Sequence, residues 1–236
     1  MPEQPQANVR WLDCPDKTDW ADRAADRIAG LLADGIAARG SASLLVPGGT
    51  TPAPIFERLH GMQLDWTKVH VGLTDERWVK ATHVDSNEHL VRGALLRGAA
   101  KGAVFHPLYK DAKRPSAGLL EAERSVGTMP RPFDAVLLGM GTDGHFASLF
   151  PGVPETAAGL NLQRPALCVA IDKPQNGYGR MSLSLLAVLN SRLILVAITG
   201  RPKRAIAAQA MAGERDYPIA ALFAARKDNI EILWTE

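Results

Sequence analysis

The chain is 236 residues long, 46% hydrophobic and 22% charged, and its 27 Lys and Arg nearly cancel 25 Asp and Glu to leave a formal net charge of +2. That length suits one α/β domain over residues 1–236 with a substantial core, and the scattered bases exclude the basic face that a nucleic-acid partner needs. Cys14 and Cys168 lie far apart with no C-x-x-C, which excludes a disulfide framework or a cysteine zinc site and points to a reduced, cytoplasmic compartment. The opening MPEQPQANVRW has no apolar signal core, and no run approaches the roughly 18 apolar residues of a membrane span, so a soluble, unexported chain with no membrane partner is expected.

From Thr18 to Arg39, Trp20, Ala24, Ile28, Leu31, Leu32 and Ile36 recur at helical spacing. Thr18 or Asp19 is placed to cap this helix and Gly40 to stop it. A short buried-strand pattern, SLLV (43–46), runs into PGGTTP and then the helical APIFERLH. The alternation repeats: KVHVGLT (68–74) precedes a helix near SNEHLVRGALL, and FDAVLLGM (133–140) precedes a glycine turn. ALCVAI (166–171) follows, then RLILVAIT (192–199) before KRAIAAQAM, and finally IEILW (230–234). KDAKRPSAG (110–118) reads as an exposed connection. Near-continuous apolar strands alternating with helices predict a mostly parallel sheet covered on both faces, with ligands at the carboxyl ends of its strands.

Four strand ends carry candidate chemistry. In VPGGTTPAP, Gly48 and Gly49 let the backbone approach a ligand, Thr50 and Thr51 offer hydroxyls and a helix cap, and Pro52 suits the first helical position. Free N–H groups there attract an anion such as a phosphate. With no Lys after the second glycine and no G-x-G-x-x-G, the segment is not a nucleotide loop, and by itself it is equally compatible with an ordinary turn. In LTDERW, Asp75 can accept from sugar hydroxyls and Arg77 donate to an oxyanion or phosphate, although three adjacent charges also suit a solvated loop.

In LLGMGTDGHFASLFPG, Gly141 and Gly144 permit sharp turns. If the segment is extended, Asp143 and His145, two apart, point the same way: a carboxylate orienting an imidazole base. Nothing rivals it as a nucleophile, because no G-x-S-x-G and no Cys near a His occur. A lone D-x-H is also compatible with simple turn residues, and His60, His70, His83, His89 and His106 show no metal-ligand spacing with it. In TGRPKRAIAAQ, Pro202, Lys203 and Arg204 occupy the first turn of a predicted helix, where positive charge opposes the helix dipole. A bound phosphate resolves that conflict, with Lys203 the expected contact. Arg180, in NGYGRMSLS, is an isolated further candidate for the same anion.

PGGTTP, TDERW with DSNEHL, LLGMGTDGHFASLFPG, GRMSLS and TGRPKRA together, from about residue 18 to 236, resemble the 6-phosphogluconolactonases, relatives of the glucosamine-6-phosphate deaminases. The resemblance implies an α/β fold of the sugar-phosphate isomerase type, Rossmann-like and three-layered α/β/α with a mostly parallel sheet, and no cofactor or metal. It implies hydrolysis of 6-phospho-D-glucono-1,5-lactone to 6-phospho-D-gluconate in the oxidative pentose phosphate pathway, by a monomer or weak homodimer. By matching position, His145 resembles the acid/base catalyst and Asp143 its orienting partner. Gly48, Gly49, Thr50, Thr51, Arg180 and Lys203 resemble the phosphate-binding set, and Asp75 and Arg77 contacts near the sugar ring.

Two other readings remain in view. The deaminase branch carries a glutamate before the proline of this segment, where this chain has Phe150, and tends to read Asp-Glu-Tyr where it has Asp75, Glu76 and Arg77. Phenylalanine cannot move a proton. A non-catalytic sugar-phosphate sensor would need a DNA-binding or partner-binding extension, for which the segment before Thr18 is too short.

Overall fold

The computed structural model describes residues 9–225 and 229–236; the opening segment on which the reading of no export signal rests lies outside them up to residue 8. Strands run over Val9–Asp13 (β1), Ala42–Val46 (β2), Val69–Leu73 (β3), Asp75–Arg77 (β4), Val104–His106 (β5), Ala135–Leu138 (β6), Cys168–Gln175 (β7), Tyr178–Leu183 (β8), Ile194–Thr199 (β9) and Ile230–Thr235 (β10). Helices run over Lys17–Arg39 (α1), Ala53–Leu59 (α2), Asn87–Ala94 (α3), Pro115–Gly127 (α4), Pro154–Leu160 (α5), Leu185–Leu189 (α6), Arg201–Ala212 (α7) and Pro218–Ala225 (α8).

Seven strands form one sheet in the order β1-β10-β9-β6-β2-β3-β5, every neighbouring pair parallel. β2, β6 and most of β9 are buried at every residue, which is why their sequences read as unbroken apolar runs. The chain moves one way across the sheet from β2 to β3 and the other way from β6 to β9. Right-handed crossovers in opposite directions lie on opposite faces, so helices cover both. The reversal leaves a crevice between the carboxyl ends of β2 and β6, the place where such sheets bind ligands.

Departures from the predicted elements have local causes. ALCVAI does not join the parallel sheet: it opens β7, which with β8 and β4 makes a separate antiparallel sheet in the order β4-β8-β7. Asn176 and Gly177, both at positive φ (53° and 86°), join β7 to β8 in a two-residue turn. Helix α1 starts one residue earlier than predicted, at Lys17, because Asp16, not Thr18 or Asp19, caps it, accepting from the N–H groups of Thr18 and Asp19 at 2.8 and 2.9 Å. Its predicted stop holds, with Gly40 at φ 77°. Helix α2 begins after Pro52, and neither Thr50 nor Thr51 caps it by a side-chain bond.

Candidate active site

The ends of β2, β3, β6 and β9 converge on a pocket of about 340 Å³. At the end of β2 the chain turns through Gly48, Gly49 and Thr51, which line the pocket, whereas Thr50 is exposed and does not. Gly49 stands at φ 83°, a conformation that favours glycine. No described group accepts a hydrogen bond from the main-chain N–H of residues 48 to 51, leaving donors directed by a tight turn.

Beyond β6, the stretch 139–145 is not extended. It forms a turn in which Asp143 Oδ1 accepts from the His145 main-chain N–H at 3.2 Å and lies 2.5 Å from His145 Nδ1. A carboxylate only accepts, so Nδ1 is the donor of this pair, and in the neutral ring the lone pair then lies on Nε2. Burial pushes the Asp143 carboxyl up, but the hydrogen bonds and charge of His145 together outweigh it and hold the group below its ordinary value. Gly141 is the floor beneath the pair: a Cβ there would fall 2.2 Å from His145 Nδ1 and 2.4 Å from Asp143 Oδ1. Its N–H donates to the His145 carbonyl at 2.9 Å and closes the turn. Gly144 is at φ 75°, with the Tyr217 side chain where a Cβ would sit. His145 lines the pocket and Asp143 stands behind it. The Phe150 ring lies 4.5 Å from the imidazole centroid and forms an apolar wall.

After β3 the chain bends at Thr74 into the small sheet, so Asp75 and Arg77 are strand residues and not a loop. Residues two apart in a strand share a face, and both line the pocket while Glu76 between them does not. Glu76 is buried and receives the N–H groups of Arg77, Asn87 and Glu88 and the Ser86 hydroxyl at 2.7 to 3.0 Å, pinning β4 to the start of α3. Burial pushes its carboxyl up to about 7 while those donors pull it down. Asp75 Oδ2 accepts from the Ser148 hydroxyl at 2.5 Å.

Arg180 pairs across the strands with Arg77. Like charges directly opposite repel, so the small sheet places two guanidiniums where an anion would relieve them. Burial lowers the pKa of Arg180 from its ordinary value, with Asp75 acting in the other direction.

Helix α7 presents three bases in its first turn. Arg201 pairs with Glu236, and Arg204 pairs with Asp13 while stacking on Trp11 and Trp234. Lys203 alone of the three lines the pocket. It has no carboxylate partner among the described residues, and burial lowers its pKa.

The structure thus brings Gly48, Gly49, Thr51, Asp75, Arg77, His145, Arg180 and Lys203 to one cavity, sets Asp143 against its back, and leaves Thr50 outside. Sequence reasoning missed Asn87, a pocket residue hidden at the start of a helix. Its only signal was DSNE following TDERW at a short distance.

A parallel α/β sheet whose strand ends offer a histidine–aspartate pair, three cations and a glycine turn defines a hydrolytic or isomerising enzyme of small anionic substrates. The chain belongs to the glucosamine-6-phosphate isomerase/6-phosphogluconolactonase family, whose model matches residues 15–234. It is 41% identical to a 6-phosphogluconolactonase of Caulobacter vibrioides over 93% of this chain and 94% of that protein. It is 37% identical to another from Pseudomonas putida over 97% of this chain and 93% of that one. Its fold matches the crystal structure of a 6-phosphogluconolactonase from Shewanella baltica with a TM-score of 0.92 at 38% identity, covering 98% of this chain and 99% of that one.

Proposed function

We propose that the chain hydrolyses 6-phospho-D-glucono-1,5-lactone to 6-phospho-D-gluconate, the lactone-opening step of the oxidative pentose phosphate pathway, with His145 as acid/base catalyst. The high identity to named lactonases along nearly the whole chain supports the reaction. The observation that carries the mechanism is the His145–Asp143 contact of 2.5 Å at the mouth of a cationic pocket.

The 6-phosphate sits on the N–H groups of the Gly48–Gly49 turn with Lys203 and Arg180, while Asp75 accepts from a ring hydroxyl. Water attacks the lactone carbonyl carbon as His145 Nε2 takes its proton, and Asp143 holds the imidazolium that forms. Arg77 meets the negative charge on the carbonyl oxygen. The carbon–ring-oxygen bond then breaks, the imidazolium protonates that oxygen, and the new carboxylic acid ionises. Phe150 supplies no carboxyl beside His145 for the sugar proton transfers of deamination.

Cys14 and Cys168 are buried free thiols, which supports a reducing, cytoplasmic setting. No helix among the described residues is long and apolar enough to cross a membrane.

Acid release from fresh lactone, read above spontaneous hydrolysis and beside ammonia release from glucosamine 6-phosphate, tests the reading. His145→Ala is expected to lose about 10²–10⁴ in kcat. Full activity in that variant would remove His145 from the mechanism, and ammonia without acid would overturn the reaction.

A further inference from the structure

Asn87 is almost fully buried at the start of α3, yet its carboxamide reaches the pocket wall. Nδ2 donates to the Asp75 carbonyl at 2.8 Å, and Oδ1 accepts from Arg77 Nη1 at 3.1 Å. A carbonyl only accepts and a guanidinium only donates, so this amide has a single orientation. Arg77 Nη1 also donates to the Asp85 carbonyl at 2.9 Å. Both acceptors hold Arg77 on its own side of the small sheet, against repulsion from Arg180 directly opposite.

The other face of the carboxamide lies on Gly48. A Cβ at Gly48 would fall 1.8 Å from Asn87 Oδ1 and 2.1 Å from Cγ, far inside contact distance. Gly48 does not have the positive φ of Gly49, so its backbone conformation does not demand glycine. What demands it is the Asn87 side chain.

We propose that Asn87 is a positioning residue that holds Arg77 at a fixed distance from the Gly48–Gly49 turn, and that position 48 is glycine in order to seat it. One amide then links the two substrate-holding parts contributed by β2 and β4. The proposal rests on the reading that this pocket binds the phosphorylated lactone through Arg77.

Two double-mutant cycles in kcat/KM for the lactone test it, with thermal unfolding recorded for each variant. Gly48→Ala and Asn87→Ala should each lose about tenfold or more, and the double variant should be no worse than Asn87→Ala, since the clash partner is gone. In the second cycle, Asn87→Ala should add nothing to the loss in kcat/KM caused by Arg77→Ala while still changing the melting temperature. Asn87→Asp, which keeps the acceptor for Arg77, should retain more activity than Asn87→Ala; should Asn87→Ala fail to fold, Asn87→Ser replaces it in both cycles.

Losses that multiply in both cycles would overturn the proposal, leaving Gly48 a direct ligand contact and Asn87 a purely structural residue. Full activity in Arg77→Ala and His145→Ala would instead overturn the reading of the pocket itself.

Discussion

At the amino ends of β9, β6 and β2 the Asp134 carboxylate is wholly buried and fully answered. Arg39 donates to both its oxygens at 2.6 and 2.7 Å, Arg192 lies 3.4 Å from one, and the Ser43 N–H donates at 2.9 Å. Helix α1 approaches so closely that a Cβ on Gly35 would sit 2.6 Å from Asp134 Oδ1. At the carboxyl ends of the same strands Lys203 is half-buried with no acid beside it among the described residues, and Arg77 faces Arg180 across two strands. One end uses charge to hold strands and a helix together. On our reading of the site, the other holds cations for a ligand.

Mutation should separate the two ends cleanly, and the larger effect belongs to the closed one. Asp134→Ala strands two guanidiniums and the Ser43 N–H. Breaking a buried pair from one side typically costs about 3–5 kcal/mol. Arg39 and Arg192 retain 32% and 36% exposure and can turn to water, so the expected loss is about 3 kcal/mol, measured by urea unfolding. The activity of the folded fraction should stay near normal. A large fall in activity per folded molecule with no loss of stability would mean the two ends are not distinct.

At the open end the sign reverses. Lys203→Ala removes a desolvated cation with no hydrogen bond or ion pair among the described residues, so stability should not fall. A hydrogen bond to a charged group is worth about 1.5–3 kcal/mol, so kcat/KM should drop roughly ten- to hundredfold. Because the phosphate is remote from the bond that breaks, most of the loss should appear in KM. A destabilised Lys203→Ala variant with unchanged KM would place this lysine among the structural charges instead.

This division was only partly legible in the sequence. The inner parallel strands could be read because both faces of the sheet are covered, and a strand buried on both sides is apolar throughout, as AVLL and the first five residues of ILVAIT are; the edge strands β1 and β5, partly exposed and short, were not read. The conflict between Lys203 and the helix dipole could be read because it is local. The small antiparallel sheet was missed: ALCVAI is an apolar run like any other, although the Asn176–Gly177 pair carried a hairpin signal. Without that sheet, Arg180 had no visible connection to Arg77. Their adjacency depends on pairing between residues about a hundred positions apart, which periodicity cannot reveal. Asn87 escaped for a similar reason, since its role lies in what it touches in two other segments.

A third way of handling charge lies on the flank formed by β3 and β5, where burial disfavours the charged form of two histidines. His106 Nδ1 lies 3.0 Å from the Ser125 carbonyl, which only accepts, so that nitrogen holds the proton. His106 Nε2 is then an acceptor, and His70 Nδ1 donates to it at 2.8 Å. Burial lowers both pKa values, and for His106 the neighbouring His70 adds to the effect, after the bond to Ser125, which opposes it. A depressed histidine pKa means that the unfolded chain takes up protons the native one refuses. Stability from this pair is therefore fully present above about pH 6.5, the ordinary histidine value, and is lost as pH falls from there toward the depressed native values. Glu76, whose raised carboxyl takes up a proton in the native state over the same window, acts in the opposite direction, so the measurement is a difference: the urea midpoint of the protein relative to that of the His70→Gln/His106→Gln variant should fall between pH 7.5 and 5.5. Neither residue lines the pocket, so the double variant should leave the pH dependence of lactone hydrolysis unchanged; a shifted activity profile would show that the pair communicates with the open end of the sheet.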